Sequence, residues 1–132
     1  MLLDTHALVW LDEANPRLGK SALSTIDLSL KSKSLYVSSI SFWEIAMLIE
    51  KNRLEISMSV DLWRKSLLDN GLQEIPLTGN IAIQSALLND FHGDPADRMI
   101  VATAMQATAK LCTADRKILA WTGKLQWLDA GV

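Results

Sequence analysis

His92-Gly93-Asp94-Pro95-Ala96-Asp97-Arg98-Met99-Ile100-Val101-Ala102-Thr103-Ala104 is the stretch from which the rest of the chain is best read. It spells the start of a helix. Asp94 falls where an N-cap belongs, and Pro95 follows at the first helical position, where a missing N–H costs nothing. Asp97 comes at the third helical position, near the positive end of the helix dipole. After Arg98 the residues are apolar or small through Met105, and a helix apolar on all sides is buried on all sides. At about 100° per residue Asp97 shares a face with Val101, Ala104 and Thr108. Two readings stay open here: a capping box, or an acid that begins a face turned into the protein.

The flanking sequence supplies alternating elements. Met1-Leu2-Leu3, Leu35-Tyr36-Val37 and Lys110-Leu111-Cys112-Thr113 read as short apolar strands, Gln73-Glu74-Ile75 as a weaker one broken by Pro76, and Gln126-Trp127-Leu128 as an edge strand. Between them lie helical stretches: one from Thr5, one capped by Ser21, Phe42 to Lys51, about Val60 to Asp69, Ile81 to Leu88, and one capped by Asp115 that ends near Thr122-Gly123. Asn15-Pro16-Arg17-Leu18-Gly19 is a turn, and Asn70-Gly71 stops the fourth helix. Strands this short and apolar belong to a helix-covered sheet. The expected class is α/β: one domain over 1–132, with a short, mainly parallel sheet and helices on both faces.

Length and composition fit that reading. A chain of 132 residues, 49% hydrophobic and 21% charged, is one ordinary globular domain. Thirteen Lys and Arg against 15 Asp and Glu leave a net charge of −2, which by itself attracts no phosphate backbone. A nucleic-acid function would need a bound cation. The single cysteine, Cys112, rules out an internal disulfide framework and reads as a buried, inert thiol of a reducing compartment. The start Met1-Leu2-Leu3-Asp4 lacks the basic and apolar regions of a signal peptide, and no run approaches the ~20 apolar residues of a membrane span, so a cytoplasmic location is expected.

The acids carry the chemistry. In an open parallel sheet, ligands bind beyond the carboxyl ends of the strands. Asp4 follows the first strand and Asp115 closely follows Leu111-Cys112-Thr113. Each could be only a helix cap. Glu44 stands off the core stripe of Phe42, Ile45, Ala46 and Ile49, yet has Met47 and Leu48 one turn on. With Asp97 they form a quartet at strand ends and first helical turns. Two bare carboxylates ~5 Å apart repel by about 3 kcal/mol at an effective dielectric of ~20. Four in one pocket require protons or cations, and all-oxygen donors suit Mg²⁺ or Mn²⁺. Such ions activate water and hold an in-line phosphoryl displacement.

The successive stretches Met1-Leu2-Leu3-Asp4-Thr5, Ser41-Phe42-Trp43-Glu44-Ile45, Asp94 to Ala104 and Leu111-Cys112-Thr113-Ala114-Asp115 resemble, in order and spacing, the signatures of a PIN domain. The likeness is to VapC-type toxins of bacterial and archaeal toxin–antitoxin pairs, and it covers essentially the whole chain. It implies a metal-dependent endoribonuclease, commonly a homodimer, that cuts RNA and is restrained by a VapB-type antitoxin. Position by position, it implies metal coordination by Asp4, Asp97 and Glu44, and a second-metal or water-orienting role for Asp115. Thr5 and Thr113 match the family's flanking hydroxyls. Asp94 adds acidity beside its role as cap. His92 and Arg98 could touch phosphate or be structural, with structure favoured for His92.

Other residues read plainly. His6 is a helix-surface histidine, although two positions from Asp4. The five tryptophans are mostly core or contact surface, with base stacking the alternative. Lys51 with Arg53, and Arg116 with Lys117, read as solvated helix ends slightly in preference to phosphate binders. A mean hydropathy of +0.16 suits a protein that hides apolar surface against a partner. Two rivals to the nuclease remain. A phospho-acceptor receiver domain would need an acidic pair at the first strand and a lysine after the last. A non-catalytic binding module would keep the fold alone.

Overall fold

The computed structural model describes all residues, 1–132. In chain order its elements are β1 (Leu2–Leu3), α1 (Thr5–Asp12), α2 (Lys20–Lys31), β2 (Tyr36–Ser38), α3 (Ser39–Glu50), α4 (Val60–Asp69), β3 (Gln73–Ile75), α5 (Gly79–Ala86), α6 (Pro95–Gln106), β4 (Leu111–Thr113), α7 (Arg116–Leu119) and β5 (Trp127–Asp129). The five strands form one sheet in the order β3-β2-β1-β4-β5, and every pairing is parallel. The register sets Leu2 between Tyr36 and Leu111, and Leu3 between Val37 and Cys112.

That order explains the layers. From β1 the chain steps outward to β2 and β3, then returns across the sheet to β4 and β5. Right-handed crossovers that advance in opposite directions place their helices on opposite faces. The core divides accordingly, because successive strand residues point to opposite sides. Leu3, Val37 and Cys112 pack with Ala7 and Leu8 of α1, Ala22 and Ile26 of α2, Ile45 of α3 and Trp63 of α4. Leu2 and Leu111 pack with Ile100, Val101 and Ala104 of α6 and Ile118 of α7. Residues Ile100 to Ala104 are all buried, as the uninterrupted apolar run requires.

Local chemistry fixes most boundaries. Asp4, Ser38, Ser59, Thr78, Asp94 and Asp115 each accept a backbone N–H at the start of a helix. Five expectations need correction. Ser21 does not cap α2: the cap is Gly19, and Gly19 N and Ser21 N donate to the carbonyls of Ala130 and Val132 at 2.8 and 3.0 Å. The last segment of chain thus does what a side chain was expected to do. α3 begins at Ser39, before Phe42, because Ser38 is the cap, and α5 begins at Gly79, before Ile81, because Thr78 caps it. α7 ends at Leu119, well before Thr122-Gly123, as Trp121 turns to pack on Phe91 and donates its indole N–H to Asn89 O. Thr108 lies past the end of α6 with φ 51° and is exposed, so the inward face of that helix stops at Ala104.

Candidate active site

β1 and β4 are neighbours whose onward connections run to opposite sides of the sheet. A crevice opens beyond the carboxyl ends of such a pair. Asp4 stands at the end of β1, 6% exposed. Its Oδ1 accepts Ala7 N at 2.8 Å and its Oδ2 accepts the Thr113 hydroxyl at 2.5 Å. Burial pushes its carboxyl up to about 6; the Thr113 and Ala7 hydrogen bonds oppose that, and the charge of Asp97 adds to it. Thr113 Oγ1 also accepts Asp115 N at 3.1 Å, so one hydroxyl at the end of β4 ties the two acids together. Asp115 caps α7 through Oδ1, which accepts Lys117 N at 2.8 Å and Ile118 N at 3.3 Å.

α6 delivers the third acid. Asp94 Oδ1 accepts Asp97 N at 3.1 Å, which makes Asp94 the cap. The Asp97 carboxylate faces His92 instead, Oδ2 lying 2.8 Å from Nε2. Of the two readings of this stretch, the inward-facing acid is therefore the correct one for Asp97. Burial raises its pKa, and Asp94 and Asp115 raise it further against the His92 contact. Glu44, from the second turn of α3, is half-buried and likewise raised, first by burial and then by the charges of Asp97 and Asp94. A hydroxyl from Thr5 opposes that rise, and Thr5 also donates to Ser41 Oγ at 3.0 Å.

Asp97 is the hub. It is felt electrostatically by Asp4 and Glu44 and is itself raised by Asp94 and Asp115. Donor atoms of His92, Asp97 and Asp115 lie within 4.8 Å of one another. Asp4 and Glu44 stand outside that tightest group. The hollow in front of it is lined by His92, Asp94, Asp97, Asp115, Arg116 and Lys117, with no apolar side chain. A concentration of carboxylates whose mutual repulsion is partly relieved by proton uptake suits a hard divalent cation, and the oxygen-rich donors match one. His92 Nε2 is already engaged by Asp97, and the acids themselves offer only oxygen donors.

Arg98 is not available to phosphate. Its guanidinium donates to the carbonyls of His92, Ser85 and Phe91 at 3.0, 2.9 and 2.8 Å, and more weakly to Leu88 at 3.5 Å. His92 stacks on Phe91, with ring centroids 4.3 Å apart, while also reaching Asp97, so it is both structural and part of the site. Arg116 and Lys117 are exposed at the start of α7, as a solvated helix end, and they also rim the hollow. Their position follows from Asp115 capping a helix at the sheet edge, which puts its next two residues beside the acids. His6 is exposed, yet its charge lowers the pKa values of both Asp4 and Glu44. Trp63 is core, bonded to Asp12 Oδ2 at 2.9 Å; Trp43 and Trp127 are 54% and 44% exposed.

The sequence and the fold both have known relatives. Over residues 1–123 the sequence matches the family model described as PIN domain. It is 34% identical over 119 residues to Ribonuclease VapC22 of Mycobacterium tuberculosis strain ATCC 25618 / H37Rv, covering 89% of this chain and 88% of that protein. VapBC2 from Rickettsia felis, solved bound to a DNA fragment from its promoter, superposes with a TM-score of 0.71 at 16% identity, covering 96% of each chain. A toxin–antitoxin complex from Klebsiella pneumoniae superposes with a TM-score of 0.64 at 18% identity, covering 98% of this chain and 96% of that one. Those two likenesses establish the fold. With the family signature running through nearly its whole length, and a relative a third identical, the chain belongs to the PIN-domain family.

Proposed function

We propose that this protein is the toxin of a VapBC-type toxin–antitoxin pair: an endoribonuclease dependent on Mg²⁺ or Mn²⁺ that hydrolyses RNA phosphodiester bonds in the cytoplasm. One observation carries the reading: acids from three other segments of chain, Asp4, Glu44 and Asp115, lie near enough to Asp97 to interact with it electrostatically. The likeness to a protein named a ribonuclease, and to solved toxin–antitoxin complexes, supports it. In this reading Asp4, Asp97 and Glu44 hold the cation directly or through water, and Asp115 holds a second one or orients the attacking water. A bound divalent ion supplies a lowered water pKa and charge stabilisation on the phosphate. The chain's own contribution is placement. Thr113 fixes Asp4 and the backbone of Asp115, His92 turns Asp97, and Thr5 lies against Glu44. Arg116 and Lys117 at the rim offset the acidity for an incoming polyanion.

A VapB-type antitoxin and a second copy of the chain are the proposed partners. Exposed Trp43, Ile83 and Leu87, at 54%, 65% and 69%, fit a chain that covers apolar surface in an assembly. The test is RNA cleavage by the purified chain with Mg²⁺ or Mn²⁺, with EDTA, and by Asp97→Asn. Cleavage should require the ion and fall to background in the variant. A folded Asp97→Asn protein that cuts at the parent rate removes Asp97 from the mechanism, and cleavage that survives EDTA removes the metal.

A further inference from the structure

The acidic hollow does not end at His92. A second hollow, about 350 Å³, continues from it, with His92 and Lys117 shared between the two. It leads past Phe91 to Trp121, which also lines a third hollow of about 490 Å³ bordered by Lys124. The volumes lie in the ~300–1,000 Å³ range of small-ligand clefts. Its aromatic wall is built rather than incidental. Trp121 meets Phe91 edge to face, centroids 5.2 Å apart at 88°, and its indole N–H is bound by Asn89 O at 2.9 Å. Gly123 closes against the ring so tightly that an added Cβ would lie 2.1 Å from Trp121 Cζ2. Lys117 and Lys124 make no ion pair, so both ammonium groups are free for a partner of opposite charge. A fixed aromatic surface flanked by free cations, running out from an acidic centre, is the arrangement that binds single-stranded nucleic acid: stacked bases on the rings, phosphates on the lysines.

We infer that Trp121 forms a base-stacking subsite for single-stranded RNA, reached from the acidic centre through the groove beside His92 and Lys117. The inference rests on the ribonuclease reading for its choice of ligand and adds a residue that selects how the strand lies. It is a binding subsite; Trp121 touches no reacting atom.

An eight-nucleotide single-stranded RNA carrying one 2-aminopurine is the probe, titrated in Mg²⁺ against full-length Asp97→Asn so that the strand survives. The expected result is saturable quenching of the base, with affinity about tenfold or more weaker after Trp121→Ala and largely kept in Trp121→Phe. Gly123→Ala retains the indole but displaces it, and should weaken stacking too. Circular dichroism checks that each variant is folded; should Trp121→Ala fail to fold, the phenylalanine and Gly123→Ala variants carry the comparison. Lys117→Ala should reduce the slope of log affinity against log salt by about 0.7. Cleavage by the parent chain is measured in parallel. If the parent cuts RNA but folded variants bind and quench like the reference protein, the subsite is wrong and the nuclease reading stands. If stacking depends on Trp121 while the parent cuts nothing, the subsite stands and the nuclease reading falls.

Discussion

Asp4 serves two demands that oppose each other. As a cap and as the partner of Thr113 it must accept hydrogen bonds, while at 6% exposure and beside Asp97 its negative charge is costly. Its pKa rises to about 6 from 3.8. A carboxyl raised on folding contributes stability that is fully present below the unfolded value and is lost as pH climbs through the folded one. Without metal, the charged form therefore costs about 3 kcal/mol at neutral pH, the equivalent of roughly two pKa units. Asp4→Asn keeps an acceptor for Ala7 N and cannot ionise. Urea unfolding in EDTA should show the stability difference between variant and parent moving in the variant's favour by about 2 kcal/mol from pH 4 to pH 7.5. A difference that stays constant over that range would refute the raised pKa. The positions of Asp4, Asp97 and Asp115 were legible in the sequence because each follows a strand or opens a helix, whereas Glu44, from the second turn of α3, stood out only by its apolar neighbours. The roles of Arg98 and His92 were not, since the acceptors of the one are main-chain carbonyls and the stacking partner of the other is a neighbour in sequence that gives no periodic signal.

Elements were readable in kind, although the locally capped starts of α3 and α5 lie earlier than their apolar periodicity indicates. α4 runs from Val60 to Asp69 as its sequence and the Asn70-Gly71 stop indicate, and β3 keeps Gln73 to Ile75 despite Pro76. The start of α2 was not readable, because it is set by carbonyls more than a hundred residues away in sequence. The link between α5 and α6 is a similar case. It has no regular structure, and Arg98 holds it by donating to carbonyls at Ser85, Phe91 and His92. Through that link the guanidinium places His92, and His92 in turn meets Asp97. Arg98→Ala should destabilise the protein by about 3 kcal/mol, since several carbonyls lose a charged donor together. Arg98→Lys should recover only part, because an ammonium cannot span the same fork of acceptors. Denaturant melts of the three proteins check this. If Arg98→Ala abolished cleavage at unchanged stability, the residue would belong with the substrate rather than with the loop.

For the molecule as a whole, the sheet order creates a crevice and the chain fills its mouth with negative charge. Each raised carboxyl there stores unfavourable energy that a bound cation would release, so occupancy of the site and stability of the fold are linked. An ion that binds only the folded chain stabilises it by about 2.7 kcal/mol at one hundred times its dissociation constant. For a protein of this size that corresponds to a rise in melting temperature of roughly 10 °C. Titrating Mg²⁺ or Mn²⁺ into metal-free protein at pH 7.5 should give such a rise, and it should saturate. The effect should be largely lost in Asp97→Asn, which removes the charge shared by every other acid in the group. At pH 5 it should also shrink, because protonation of the raised carboxyls relieves the same repulsion before the ion arrives. Sodium chloride at matched ionic strength separates a site from simple screening. If it raises the melting temperature as much as the divalent ion does, then the acids need only a salt atmosphere and no cation is held between them.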